Sequence, residues 1–531
     1  MRSKIYNYIN NLLLPCLVFS VLTGFFSAIL ITAFKIAAEW VIHISNSVYE
    51  SIRENPICLP LLVIGAALIG LAASLILSKF KSCQGGGIPT SVAAIQGIFS
   101  FRWISSVTLL PISALLTFLV GLPLGTEGPC VQMGTAIGDG VMKSFGKEKH
   151  RGWRRYIMTG GASAGFSIAT ASPISAIVFA MEELHKHFSP IILSVASISV
   201  ITAQITARAL SAIGIGDLEF FSIPESKAIT TSLFFAPLLI GIVSGICSIL
   251  FTRLYHRVDH TMRIVLKKLP VKILLPTLFA LVSIVGFFFA DVLSSGHALI
   301  TSLFSHGAVW YVLVLLFLIR AIGMMVCNTS GATGGVFLPT LAFGAIIGAI
   351  CADIMIWLGW IGSEYYVIMV VLGITSFLGA TSRIPLTACV FSIEALCGIN
   401  NVLPIIIATI VALLIVESSG LEDLTDKIIE AKLHKITKGK QPFDIEAPLT
   451  VNKNAFVTGK ELRDVLWPNS CVVVAFERAK HSEKHSVISD GDVITVRYTT
   501  YDPEATAIEL TDLVGEQSED IRQVMNPCKN I

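Results

Sequence analysis

Charge is what this chain has least of. Asp, Glu, Lys and Arg make up 14% of its 531 residues, whereas a soluble domain carries about a quarter, so a water-soluble fold is excluded. The net charge of +2 leaves no basic footprint for nucleic acid, and no nucleic-acid partner is expected. The eleven cysteines stand singly, with no CxxC pair and no metal-ligand spacing, which points to free, mostly buried thiols and to no cofactor. A TVGYG-like filter of carbonyl oxygens is also missing, and no nucleophile, base and metal constellation marks an enzyme. His185 and His187 form an HxH pair without acid or cysteine partners and are expected at a solvated helix end. What the chain does have is 54% hydrophobic residues, the composition of a polytopic membrane protein. Its opening run, MRSKIYNYINNLLLPCLVFSVLTGFFSAILITAF, exceeds a signal peptide's apolar core and lacks a clear small-residue cleavage site, so it reads as a retained first membrane helix.

Apolar windows follow at about 57–78, 104–121, 128–146, 156–184, 190–213, 227–252, 272–292, 309–326, 335–358, 365–380, 384–397 and 402–416. Several are shorter than the roughly 20 residues that span hydrocarbon. Glycine and proline interrupt many, which implies broken helices whose ends lie inside the protein or face an aqueous cavity. From about Ser418 the composition turns polar, and the expected division is a membrane part over 1–430 and a tail over 431–531.

The membrane part repeats itself. ASPISAIVFAMEELHK (171–186) matches SRIPLTACVFSIEALCG (382–398), pairing Pro173, Phe179 and Glu182 with Pro385, Phe391 and Glu394 at an offset of about 212. Pro129 and Gly134 recur as Pro339 and Gly344, so halves over about 10–215 and 225–418 are expected. Basic residues in Lys143–Arg155 and Arg253–Lys272 belong in the cytoplasm with Arg2 and Lys4, and the acids of DLEFFSIPES (217–226) outside. The copies then begin on opposite sides, as in inverted-repeat transporters with a midplane site. Asp291, Arg320, Asp353 and Arg383 are assigned to ion pairs or helix ends.

Three glycine-proline stretches each precede an apolar run: GGGIP (85–89), GTEGP (125–129) and GGVFLP (334–339). Proline in a first helical turn forfeits no hydrogen bond, and the glycines before it free the backbone. All three read as helix N-termini. Convergent N-termini present free N–H groups and the positive end of the helix dipole, which makes an anion site without lysine or arginine. Glu127 sits inside one of them, and an ionisable group at membrane depth is costly and usually functional.

In order and separation these stretches resemble the anion-binding segments GSGIP, GREGP and GxFxP of the CLC chloride channels and proton-coupled chloride transporters. The resemblance covers roughly residues 10–430. It implies an all-α inverted repeat of tilted, broken helices, and a homodimer with one anion pathway per subunit. Chloride and protons are the implied cargo, with nitrate or bromide as further anions. It places anion binding at Gly86, Gly87, Ile88, Gly125, Gly128, Val336 and Phe337, and makes Glu127 the gating carboxylate. Glu183 matches the internal proton-path glutamate of the family's exchangers; a solvated carboxylate beside His185 and Lys186 is the alternative. Proton-coupled antiport is favoured by the presence of both acids, against a passive voltage- or pH-gated channel or a leaky exchanger. This chain departs from the family at Gly86 (serine), at Thr126 (arginine) and at Thr425, which aligns with a tyrosine whose hydroxyl faces the central anion. Pro129 argues against the fluoride-exporting branch, where threonine commonly follows that glycine.

In the tail, LWPNSCVVVAFER...SDGDVITV resembles the TrkA-C or RCK-C module of potassium-transport regulators over about 445–500. A short helix ending at Trp467-Pro468 and two strand runs are expected there. The resemblance implies a small cytoplasmic α+β regulatory or dimerising module with a small-molecule ligand between subunits; a packing appendage is the alternative. Because that module accompanies potassium systems, a potassium channel or uptake subunit is the competing class. The expected location is a bacterial inner membrane, with both termini cytoplasmic.

Overall fold

The computed structural model describes residues 14–98, 101–146, 148–216, 220–221, 223–224, 226–305, 309–397, 399–437, 442–452, 455–468, 471–479, 487–501 and 503–515. Arg2, Lys4 and the acids Asp217, Glu219 and Glu225 lie outside the described residues. The first half comprises α1 (Leu14–Glu54), α2 (Leu59–Lys79), α3 (Ile88–Ile95), α4 (Trp103–Leu119), α5 (Glu127–Phe145), α6 (Arg154–Thr170), α7 (Pro173–Phe179) and α8 (Pro190–Ala212). The second comprises α9 (Phe235–Lys268), α10 (Val271–Phe288), α11 (His297–Ser305), α12 (Trp310–Ser330), α13 (Phe337–Trp357), α14 (Tyr366–Thr381), α15 (Pro385–Ser392) and α16 (Val402–Ser418). Then come α17 (Leu424–Thr437), β1 (Phe443–Thr450), β2 (Cys471–Glu477), β3 (Val493–Thr500) and α18 (Pro503–Val514). Among the described residues, nine helices are long and apolar enough to cross a membrane, so the chain is an integral membrane protein.

Where these elements differ from the apolar windows, local chemistry explains it. The window 156–184 divides because Ala171 turns left-handed (φ 54°) and Pro173 cannot continue the helix before it. Basic residues from Arg253 do not end α9, which runs on to Lys268; they extend a helix beyond the apolar slab. The eight- and nine-residue helices α3 and α11 are too short to register as apolar windows. Arg320 is buried and donates to the carbonyls of Asp291, Leu293 and Ser294 after α10. Arg383 pairs with Glu417 at 2.8 Å.

The repeat is visible in the packing. α5 lies on α6 through Gly134 and Gly161, where a Cβ on either would collide with the other's carbonyl, and α13 lies on α14 through Gly344 and Gly373 in the same way. The halves meet across an approximate two-fold axis. Gly125 and Gly335, equivalent in the repeat, exchange two backbone hydrogen bonds of 2.7 Å as an antiparallel bridge. An antiparallel, reciprocal pairing of equivalent residues is what a two-fold relation between the halves produces.

The same axis relates two carboxylates. Glu182, in the π-helical turn Ala180–Leu184 after α7, accepts from the amides of Leu386 and Thr387 at 2.9 and 2.6 Å. Glu394, in the matching turn Ile393–Cys397 after α15, accepts from Ile174 and Ser175, both at 2.9 Å. Each half thus caps the N-terminus of a helix in the other, satisfying orphan donors and complementing the dipole. Glu182→Gln is expected to lower the melting temperature in detergent, by a loss of about 1–3 kcal/mol per charged cap, and to leave chloride affinity unchanged in the same sample.

In the tail, β3 is central, pairing antiparallel with β1 and β2. The strand runs match β2 and β3; β1 was not foreseen, because FDIEAPLT mixes acids and proline, which an edge strand tolerates. The short helix expected before Pro468 is only a 3₁₀ turn, Leu462–Asp464. Helix α17 runs across residue 430. The tail is fastened to the membrane part. Phe456 packs on Trp153 and Tyr156, with ring centroids 5.4 and 5.7 Å away. The Tyr156 hydroxyl donates to the Asp464 carbonyl (2.5 Å) and accepts from the Leu466 amide (2.9 Å). Arg155 donates to the carbonyls of Leu466 (3.1 Å), Trp467 (2.9 Å) and Ile95, the last residue of α3 (2.5 Å). Phe456→Ala should open a cavity costing about 3–5 kcal/mol, and limited proteolysis should then release the tail faster.

Candidate anion pathway

Three helix starts converge where the halves meet. α3 begins after Gly87, whose φ is +78°. α5 begins at Glu127 and α13 at Phe337. The approach is closer than any side chain permits: a Cβ on Gly87 would collide with the Gly128 carbonyl, one on Gly128 would collide with the Gly86 carbonyl and stand 2.8 Å from the Gly335 Cα. The glycines flanking each proline therefore serve contact between helix ends. The Ile88 amide donates to the Gly86 carbonyl (2.9 Å), while the amides of Gly87, Val336 and Phe337 donate to no backbone carbonyl among the described residues. Phe337 packs edge-on against Phe166 and Phe391 at 5.1 and 5.7 Å. Apolar packing of this kind lowers the local dielectric, in which dipoles at helix ends act more strongly.

Glu127 is fully buried at this junction. Its Oε1 takes one long hydrogen bond from the Thr126 hydroxyl (3.3 Å), and Oε2 has no hydrogen-bond partner among the described residues. The carboxyl belongs to the first residue of α5, and a Cβ on Gly125 would meet both its Oε2 and the Cβ of Leu338 in the first turn of α13. It thus lies between the positive ends of α5 and α13, in a place suited to any small anion.

A second buried carboxylate lies in the turn after α7. Glu183 is 3% exposed, so it is not the solvated helix-end group of the alternative reading. Its Oε1 accepts from the Thr425 hydroxyl at 2.7 Å. Helix α17 starts at Leu424 and carries Thr425, the residue expected to face the anion, to the turn after α7, where its hydroxyl donates to Glu183. Beside them, Asp423 is 5% exposed and neither carboxylate oxygen has a hydrogen-bond partner among the described residues; Lys186 pairs with Asp426 (2.5 Å) and, more distantly, with Asp423 (3.7 Å). His185 is held by the Thr159 hydroxyl at 2.7 Å.

Residues 69–417 match the family described as voltage gated chloride channel. The chain belongs to the voltage gated chloride channel family. It is similar to the H(+)/Cl(-) exchange transporter ClcA of Yersinia pseudotuberculosis serotype IB, at 26% identity over 446 residues, 82% of this chain and 91% of the relative. The ClcA transporter of Vibrio campbellii is 27% identical over 425 residues, 78% and 88% of the two chains. In fold it resembles a slow cyanobacterial Cl-/H+ antiporter (TM-score 0.72, 23% identity, 80% of this chain and 99% of that one). A CLC-type fluoride/proton antiporter is also similar (TM-score 0.64, 20% identity, 76% and 95%).

Within this family framework, Lys35 is a functional candidate that escaped the sequence reading. Ile31, Gly165 and Cys130 stand at one level, since a Cβ on Gly165 would meet the Cys130 carbonyl and Ile31 Cδ1. One helical turn further along each helix come Lys35, Ile168 and Glu127, and Lys35 Nζ donates to the Ile168 carbonyl at 3.2 Å. An ammonium is therefore brought to the level of the Glu127 carboxylate, on a different helix from Thr126, where the CLC pattern has arginine. The signal was an ionisable residue within the first apolar run; nothing in the sequence tied it to Glu127.

Proposed function

We propose that this chain exchanges chloride for protons across a bacterial inner membrane, as a homodimer with both termini cytoplasmic. The observation that carries the reading is the Glu127 carboxylate, buried between two helix N-termini with no hydrogen-bond partner for Oε2 among the described residues. A carboxylate there competes with chloride for the same N–H groups. Protonation removes its charge, the dipoles no longer hold it, and chloride takes its place; the proton moves when the carboxylate returns. The anion is held by backbone amides about Gly87, Val336 and Phe337, with Gly86, Ile88, Gly125 and Gly128 shaping the close approach, and nitrate or bromide passes as well. Glu183, with Thr425 on its carboxylate, hands protons to the internal face. The names of the relatives, exchange transporters of H+ and Cl-, agree with this assignment.

The tail we assign to a TrkA-C-like regulatory module that takes a small molecule between subunits; its hydrogen bonds through Arg155 to the end of α3 give it a route to the anion site. Reconstituted in planar bilayers under a chloride gradient, the protein should show a reversal potential that shifts when pH is changed on one side. A reversal potential set by chloride alone would make it a passive channel.

A further inference from the structure

The family's serine is Gly86 here, and Thr425 is occupied with Glu183, so both side-chain hydroxyls that the resemblance places on the central anion are missing. A third group stands at that point. Asn328, near the C-terminal end of α12, is 7% exposed, and its Nδ2 has no hydrogen-bond partner among the described residues. A Cβ added to Gly86 would lie 3.4 Å from that nitrogen, so Nδ2 reaches the place where a side chain at position 86 would begin. Its orientation is fixed from behind. The hydroxyl of Tyr255, on α9 and 3% exposed, donates to Asn328 Oδ1 at 2.7 Å, which turns the amide N–H groups toward Gly86.

A buried amide nitrogen carries two donors, and leaving both unmet is unfavourable unless something in the working protein accepts them. The surroundings indicate what does. Helix starts and free backbone amides make this junction attractive to an anion, and the neutral amide adds directional donors without a fixed charge that would trap the ion. We propose that Asn328 is an anion-binding residue of this chain, supplying through Nδ2 the side-chain donor that Gly86 cannot, with Tyr255 as its positioning residue. This rests on the reading of the chain as an anion transporter.

Calorimetric titration of chloride into the purified intact protein tests it. Asn328→Ala should weaken binding about three- to tenfold, the effect of one lost hydrogen bond. Serine at position 86 in the Asn328→Ala background should recover most of that loss, whereas Gly86→Ser alone should gain little, because the donor is already present. Asn328→Asp keeps the size and the Tyr255 hydrogen bond but replaces donors with acceptors, so it serves if the alanine variant does not fold; its chloride binding should fall further. Wild-type affinity in Asn328→Ala or in Asn328→Asp would overturn the assignment, as would failure of Gly86→Ser to rescue a folded Asn328→Ala. Absence of chloride binding in the wild type would instead overturn the transport reading.

Discussion

Glu127→Gln abolishes proton movement and leaves chloride flowing. The amide has the shape of a protonated carboxyl but neither takes up nor releases a proton, and it carries no charge for the helix dipoles to hold. The wild-type carboxylate stands at the first turn of α5 beside the first turn of α13, with the rings of Phe166 and Phe391 packed on Phe337. Removing the charge therefore removes the competitor of chloride and the proton carrier together. Proton flux is expected to fall by about a hundredfold or more, the usual weight of a proton-transfer group, with chloride efflux from liposomes persisting. Uphill proton movement that survives the substitution would contradict the gate assignment.

Glu183→Gln separates the two ions differently. The residue lies in the turn after α7, bonded to Thr425 and close to the Asp423 and Lys186 cluster. Proton flux should again drop by about a hundredfold, while the half-saturating chloride concentration stays where it was. Burial pushes the neighbouring Asp423 carboxyl above its ordinary range, so it holds a proton more readily than an exposed aspartate, and Asp423→Asn should slow proton flux less than Glu183→Gln does. Simultaneous chloride-electrode and pH traces check both. Unchanged proton flux in Glu183→Gln would return that carboxylate to a structural role beside Thr425.

The parts of this molecule that were legible in the sequence are those where backbone geometry forces a residue type. Glycines at 87, 125, 128 and 335 are needed because helix ends touch there, and that requirement writes itself into GGGIP, GTEGP and GGVFLP. The repeat was legible for the same reason, since Gly134 and Gly344 mark the same close crossing and Glu182 and Glu394 the same reciprocal cap. Side-chain placement set by tertiary packing was not legible. Thr425 was assigned to the anion by its alignment, yet a helix starting one residue earlier turns it to Glu183. Lys35 and Asn328 sit in apolar runs with no local pattern that names a partner; only the crossing of α1 with α6, and of α9 with α12, brings them to the pathway. Strand β1 stayed hidden because its two acids and its proline interrupt the kind of β-branched and aromatic run by which β3 was found.

Chloride and protons are expected to move on one obligatory cycle. Liposomes containing the purified protein, loaded with high chloride and diluted into low chloride at equal pH, would be followed by a chloride electrode and a pH electrode at once. Chloride leaving down its gradient should drive protons inward against the pH difference that builds, in a fixed proportion that a proton ionophore collapses. Chloride efflux with no proton movement, in protein that has both Glu127 and Glu183, would contradict the account.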